Sequence, residues 1–158
     1  MLYPATDTPT PALIEYIQLR CLQAHRRELP ELVALARKVE TAHADDIAAP
    51  HGLTQALEAI QADLEGHIQL EEAVVFPALC SGRLGQVWDA FATLRSDHSA
   101  HEAVLNRVVA ITHGFRLPVH ACGSWRQLYA GLGKLAEDLD EHRYLENDLL
   151  FPRFEACG

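Results

Sequence analysis

A chain of 158 residues, 49% apolar and 22% charged, is long enough for one domain with a real core and too apolar to be disordered. Its net charge of −9, with no basic stripe, argues against nucleic acid and anionic membrane as partners, and no apolar run approaches the ~20 residues that span a bilayer. Cys21, Cys80, Cys122 and Cys157 are scattered and form no C-x-x-C pair, which excludes a zinc ribbon or thioredoxin-type motif and leaves free thiols in a cytoplasmic protein.

Helical periodicity dominates and strand signals are weak. Residues 1–11 hold Pro4, Pro9 and Pro11 and no signal pattern, so they read as a flexible leader to a single domain over residues 12–158. The first helix is expected from Ala12 to His43, with a kink at Pro30, which lacks an N–H and clashes with the preceding turn. A loop with Asp45, Asp46 and Pro50 leads to Gly52 and Thr54, which mark the start of a second helix over Leu53 to Leu79. A short connection with Ser81, Gly82 and Gly85 precedes a third helix, Gly85 to Thr112. Gly114, Pro118 and Gly123 break the chain before a fourth, capped by Ser124 and running to Arg153. This order predicts an all-α, up-down-up-down four-helix bundle.

Stepping by fours and threes gives one seam per helix. The first reads Leu22, His25, Leu29, Leu32, Ala36, Val39, His43. The second reads Leu53, Leu57, Ile60, Leu64, His67, Glu71, Val74, Ala78. The third reads Val87, Phe91, Leu94, His98, His101, Leu105, Val108. The fourth reads Leu128, Leu132, Leu135, Leu139, His142, Glu146, Leu149. Histidine interrupts all four seams and glutamate two of them. A lone seam histidine is ordinarily a satisfied core residue. Two carboxylates on facing seams are different, because burying either one unpaired is costly unless cations compensate. Neutral imidazoles and carboxylates around a metal meet that need.

The arrangement is also repeated. Residues 67–77 (HIQLEEAVVFP) and 142–152 (HRYLENDLLFP) both read H-x-x-x-E-x-x-x-x-F-P. The i, i+4 spacing stacks His and Glu on one helix face. Leu22 and His25 precede His67 by 45 and 42 residues, as His98 and His101 precede His142 by 44 and 41. Two related hairpins about a pseudo-twofold, with a metal pair bridged by Glu71 and Glu146, are the expected result. A hairpin centred near residue 48 sets Glu71 level with about residue 25, which favours His25 as a ligand. His43 lies 18 residues further along, roughly 27 Å away on an unbroken helix, and reads as a capping or core histidine. His51, His113 and His120 fall in loops. Glu72, Asp97, Glu102, Glu141 and Tyr144 are near enough in sequence to support the ligands, and none is singled out.

These segments, with HRRELPELVALARKVETAH at 25–43, SDHSAHE at 96–102 and ACGSW at 121–125, resemble the hemerythrin-like (HHE cation-binding) superfamily. More narrowly they resemble the repair-of-iron-centres family, which acts on iron–sulfur clusters damaged by nitrosative or oxidative stress. The resemblance implies a hemerythrin-like bundle with two non-haem iron ions, oxo- and carboxylate-bridged; zinc and manganese suit the same donors. It implies ligation by His67, His98 and His142 with bridging Glu71 and Glu146. Family members carry a ligand histidine where this chain has Leu22, and His25 or His101 stands in for it. The metal residues are therefore His25, His67, Glu71, His98, His101, His142 and Glu146. Full-length members also carry a short N-terminal domain with an adjacent cysteine pair, which this sequence does not contain. The expected partners are dioxygen or nitric oxide and damaged iron–sulfur client proteins. The alternative role is a module that binds or senses these gases without turnover.

Overall fold

The computed structural model describes residues 3–155. Helix α1 occupies residues 10–42, as Thr10–Ile17, a π-helical turn Gln18–Leu22, and Gln23–Ala42. Helix α2 occupies residues 53–81, as Leu53–Leu70, a π-turn Glu71–Val75, and Phe76–Ser81. Helix α3 is Val87–Ile111, entered through a 3-10 turn at Leu84–Gln86. Helix α4 occupies residues 123–155, as Gly123–Tyr144, a π-turn Leu145–Leu150, and a last turn Pro152–Glu155. No strand occurs among the described residues.

The order of packing is cyclic: α1 on α2, α2 on α3, α3 on α4, and α4 back on α1. With each connection joining neighbouring helices this is the expected up-down-up-down bundle. One half of its length is filled by the apolar seams. Leu29 and Leu32 of α1, Leu57, Ile60 and Leu64 of α2, and Leu128, Leu132 and Leu135 of α4 are all buried. Each contributes about 1.5–3 kcal/mol over an exposed position. The other end is closed by Phe76, Leu79, Leu150 and Phe151, with Phe151 stacked on Phe91 of α3 at 4.3 Å. The ionisable residues lie between these two apolar plugs.

Several boundaries differ from expectation for identifiable reasons. α1 begins at Thr10, because Pro9 at the N-cap and Pro11 in the first turn suit positions whose N–H groups are unpaired anyway. Pro30 is exposed, and the helix Gln23–Ala42 continues across it. α2 starts after Gly52, whose φ of 90° is easy for glycine. Its cap, however, comes from α1: Gly52 N–H and Thr54 N–H donate to the two Glu40 carboxylate oxygens at 2.7 and 2.8 Å. α4 starts at Gly123, with Cys122 rather than Ser124 at the N-cap. Val74, expected on the seam, is 38% exposed, while Val75 is fully buried. The π-turn adds one residue after Glu71 and moves the inward face on by one.

The segment before α1 lies against the end of α4. Pro4 is buried, Tyr3 meets Tyr16 edge-on, and Arg153 donates to the Thr6 carbonyl at 3.1 Å. Residues 1–2 of the expected leader, and Cys157, fall outside the described residues.

Candidate metal centre

Each of the four helices brings an imidazole to one level of the bundle. His25 comes from α1, His67 with Glu71 from α2, His98 and His101 from α3, and His142 with Glu146 from α4. All seven are buried, and both glutamates are completely so. Glu71 opens the π-turn of α2, and Glu146 is the second residue of the π-turn of α4. π-turns of this kind occur often at functional sites.

Five of the seven converge. Ligand atoms from His67, Glu71, His98, His142 and Glu146 all lie within 4.8 Å of one another. Glu146 Oε1 is the hub: His98 Nε2 stands 2.9 Å from it, His142 Nε2 3.0 Å, and His67 Nε2 3.6 Å. Glu71 Oε1 lies 2.5 Å from His67 Nε2 and 3.2 Å from His142 Nε2. In all three histidines it is Nε2 that faces the carboxylates. In all three, Nδ1 faces outward to a partner: Asp97 Oδ2 at 3.0 Å for His67, Asn147 Oδ1 at 2.9 Å for His98, and His25 Nε2 at 3.3 Å for His142. An imidazole held by its outer nitrogen, with the inner nitrogen aimed at anionic oxygens, is the usual disposition of a metal-binding histidine.

His25 and His101 stand apart from the five. His25 stacks on the His142 ring, 5.4 Å between centroids, and supports it from behind. The ring of His101 is 5.4 Å from that of His67, and its Nε2 has no partner. His43 lies at the other end of the bundle, with its ring 4.9 Å from Trp125.

The electrostatics fit a site lacking positive charge. Burial, reinforced by the Glu146 charge, pushes Glu71 up to about 7 against the pull of His142 and His67. Burial works against Glu146 as well, but His142, His67 and His98 hold it well below the usual carboxylate range. Burial opposes charge on His67 and His142, yet their contacts with the two carboxylates win, raising them to about 11 and about 9. Burial and the neighbouring imidazoles push His25 down to about 3 and His101 to about 4. The five converging side chains thus draw positive charge between them. Glu71 Oε2, Glu146 Oε2, His25 Nδ1 and His101 Nε2 are buried without hydrogen-bond partners. Such orphaned donor atoms, in a set of imidazoles and carboxylates, fit metal ions.

Asp97 is among the neighbours that the sequence offers; Asn147 is not. The repeat hid it, since position 147 corresponds to Glu72, which pairs with Arg26 at 2.7 Å instead. Glu141 accepts a hydrogen bond from Tyr16 at 3.1 Å, and Tyr144 is exposed. A cavity of about 190 Å³ opens between α3 and α4, lined by His98, His101 and His142 at its inner end and by Glu102, Asp140 and Arg143 among its outer residues. No described helix is long and apolar enough to cross a membrane.

Residues 22–154 match the family model of the Hemerythrin HHE cation binding domain. The chain is 41% identical over 145 residues to a protein of Musicola paradisiaca named iron-sulfur cluster repair protein YtfE, covering 92% of this chain and 65% of the relative. It is 38% identical over 147 residues to a protein of the same name from Pectobacterium carotovorum, covering 93% and 66%. It is 36% identical over 147 residues to one from Escherichia coli O81, covering 93% and 67%. The chain thus spans about two thirds of the length of these relatives.

Proposed function

The chain belongs to the hemerythrin HHE cation-binding family, and on that premise we propose that it is a non-haem di-iron protein that repairs or protects iron–sulfur and other iron centres under nitrosative and oxidative stress. One observation carries the reading. Glu71 and Glu146 are wholly buried on different helices, and each leaves its Oε2 unpaired. An orphaned buried polar atom costs about 1–3 kcal/mol, more when charged. A pair of divalent cations removes that cost and the repulsion between the carboxylates together.

His67, His98 and His142 are the proposed imidazole ligands, and Glu71 and Glu146 the proposed bridges. Asp97, Asn147 and His25 hold the three rings in the tautomer that presents Nε2 inward. The two apolar plugs keep bulk water from the buried faces. A bound iron pair supplies one-electron chemistry and coordination positions for dioxygen or nitric oxide; zinc or manganese suits the same donors without changing the role of the side chains. The repair role follows the name of the relatives, and damaged iron–sulfur proteins are the proposed clients. The setting is the cytoplasm, where Cys21, Cys80 and Cys122 remain free thiols.

The test is recovery of an iron–sulfur enzyme inactivated by nitric oxide in extract. Added protein restores activity, and Glu71→Ala protein does not. Equal recovery with both sinks the repair reading. The cavity between α3 and α4 favours a second reading, reversible binding of a diatomic gas without turnover. A spectral change that reverses on degassing, with no iron released to chelator, selects that one.

A further inference from the structure

Two metal ions sharing Glu71 and Glu146 are short of nitrogen donors, because the convergent set holds only three imidazoles. The repeat indicates where a fourth belongs. His98 on α3 stands 44 residues before His142; the matching position on α1, 45 residues before His67, is Leu22, apolar and fully buried. His25 does not fill the gap: its Nε2 is committed to the back of His142 at 3.3 Å, and although its Nδ1 is unpaired, its ring is stacked behind His142 and lies outside the convergent set.

One buried imidazole remains. His101 lies three residues after His98 on the same helix, is 5% exposed, and keeps Nε2 unpaired. Its ring is within 5.4 Å of the His67 ring, and it shares the lining of the α3–α4 cavity with His98 and His142. Neither packing nor helix propensity calls for a histidine there: an aliphatic residue would fill the space without an orphaned nitrogen, and histidine is a middling helix former. The cavity beside the ring gives it room to turn.

We propose that His101 is the fourth imidazole of the centre and binds the second metal ion from the side of the α3–α4 cavity. The centre is then built asymmetrically, with two histidines from α3 and none bound directly from α1. This rests on the two-iron reading above, so the test separates the two.

The experiment loads the full chain anaerobically with ferrous iron, removes the excess, and measures iron per chain by elemental analysis. Chelator competition gives the affinity of each iron, and thermal unfolding of the metal-free proteins controls for folding. Wild type should hold two irons. His101→Ala should hold one, with metal-free stability unchanged or raised. His101→Gln, which keeps most of the volume, should also hold one and serves if the alanine variant does not fold. His25→Ala should still take two irons at saturation, held about 10–100-fold more weakly, as loss of an outer partner predicts. Two irons of unchanged affinity in His101→Gln overturn the assignment and leave the two-iron reading standing. One iron or none in wild type overturns the two-iron reading and the assignment with it.

Discussion

Glu71→Gln separates a metal centre from an ordinary buried ion-pair network, because the two predict opposite patterns of stability. In the metal-free fold burial and the Glu146 charge raise the pKa of Glu71, so its carboxyl takes up a proton more readily than an ordinary glutamate. Glutamine copies the protonated form in shape and charge. The metal-free variant should therefore unfold within about 1 kcal/mol of metal-free wild type. For a domain of 158 residues that is about 2–4 °C. Metal reverses the balance. Each ion bound at 100 times its dissociation constant stabilises the native state by about 2.7 kcal/mol. One ion then raises the midpoint by about 5–11 °C and two by about 11–22 °C, at the same 2–4 °C per kcal/mol. The assay is helical circular dichroism against temperature, under argon, with ferrous iron or with chelator. Wild type should show the two-ion rise, and Glu71→Gln at most the one-ion rise. A structural ion-pair network would behave otherwise: removing one partner would cost about 3–5 kcal/mol without metal, and metal would change nothing. No rise in wild type, or an equal rise in the variant, refutes the reasoning.

Asp97→Ala and Asn147→Ala release the outer nitrogens of His67 and His98, and each should weaken metal binding about 10–100-fold in chelator competition while the helical spectrum stays intact. Glu40→Ala removes the cap of α2 and should cost about 0.5–2 kcal/mol in denaturant melts at pH 7. The carboxyl of Glu40 is partly buried, but hydrogen bonds from Thr54 and Gly52 hold its pKa below the ordinary value. Its contribution is therefore complete above pH about 4.5 and disappears as pH falls through the lowered value, so wild type and variant should converge in acid. Cys122 is exposed, and a hydrogen bond with His43 together with the Trp125 N–H lowers its pKa. Iodoacetamide at pH 7 should modify it faster than Cys80, His43→Ala should slow it toward the Cys80 rate while the Trp125 N–H keeps part of the effect, and buried Cys21 should react only on unfolding. Equal rates at Cys122 and Cys80 would remove the pairing with His43.

The four seams were readable because periodicity and breakers agree along the whole chain. His67–Glu71 and His142–Glu146 stood out because a repeated buried carboxylate has no bland explanation. What escaped was finer than face and level. Periodicity assumes a constant 3.6 residues per turn, so it put Val74 inside where the π-turn puts Val75. It placed His25 and His101 on the right faces at about the right level, yet could not say which nitrogen each ring offers or to whom. That depends on side-chain rotation: His25 spends its Nε2 on His142, and His101 keeps its own unpaired. Asn147 was invisible because the corresponding residue of the first repeat points elsewhere. The cap of α2 was missed because Glu40 is 12 residues away from Gly52 in sequence.

The π-turns at Glu71–Val75 and Leu145–Leu150 have a consequence for how such a chain tolerates insertion and deletion. Each follows its histidine and precedes its Phe-Pro. Deleting one residue from 72–74 would restore regular winding and leave His67 and Glu71 where they are. Val75 would then take the place that regular winding already turns inward, and Phe76 and the rest of the helix would keep their face. The donor atoms and the aromatic stopper beneath them are thus set by separate stretches of one helix, joined by a spacer one residue too long for an α-turn. A single deletion in that spacer is absorbed by loss of the π-turn, a second would re-aim the stopper by about 100°, and substitutions upstream change the donors alone.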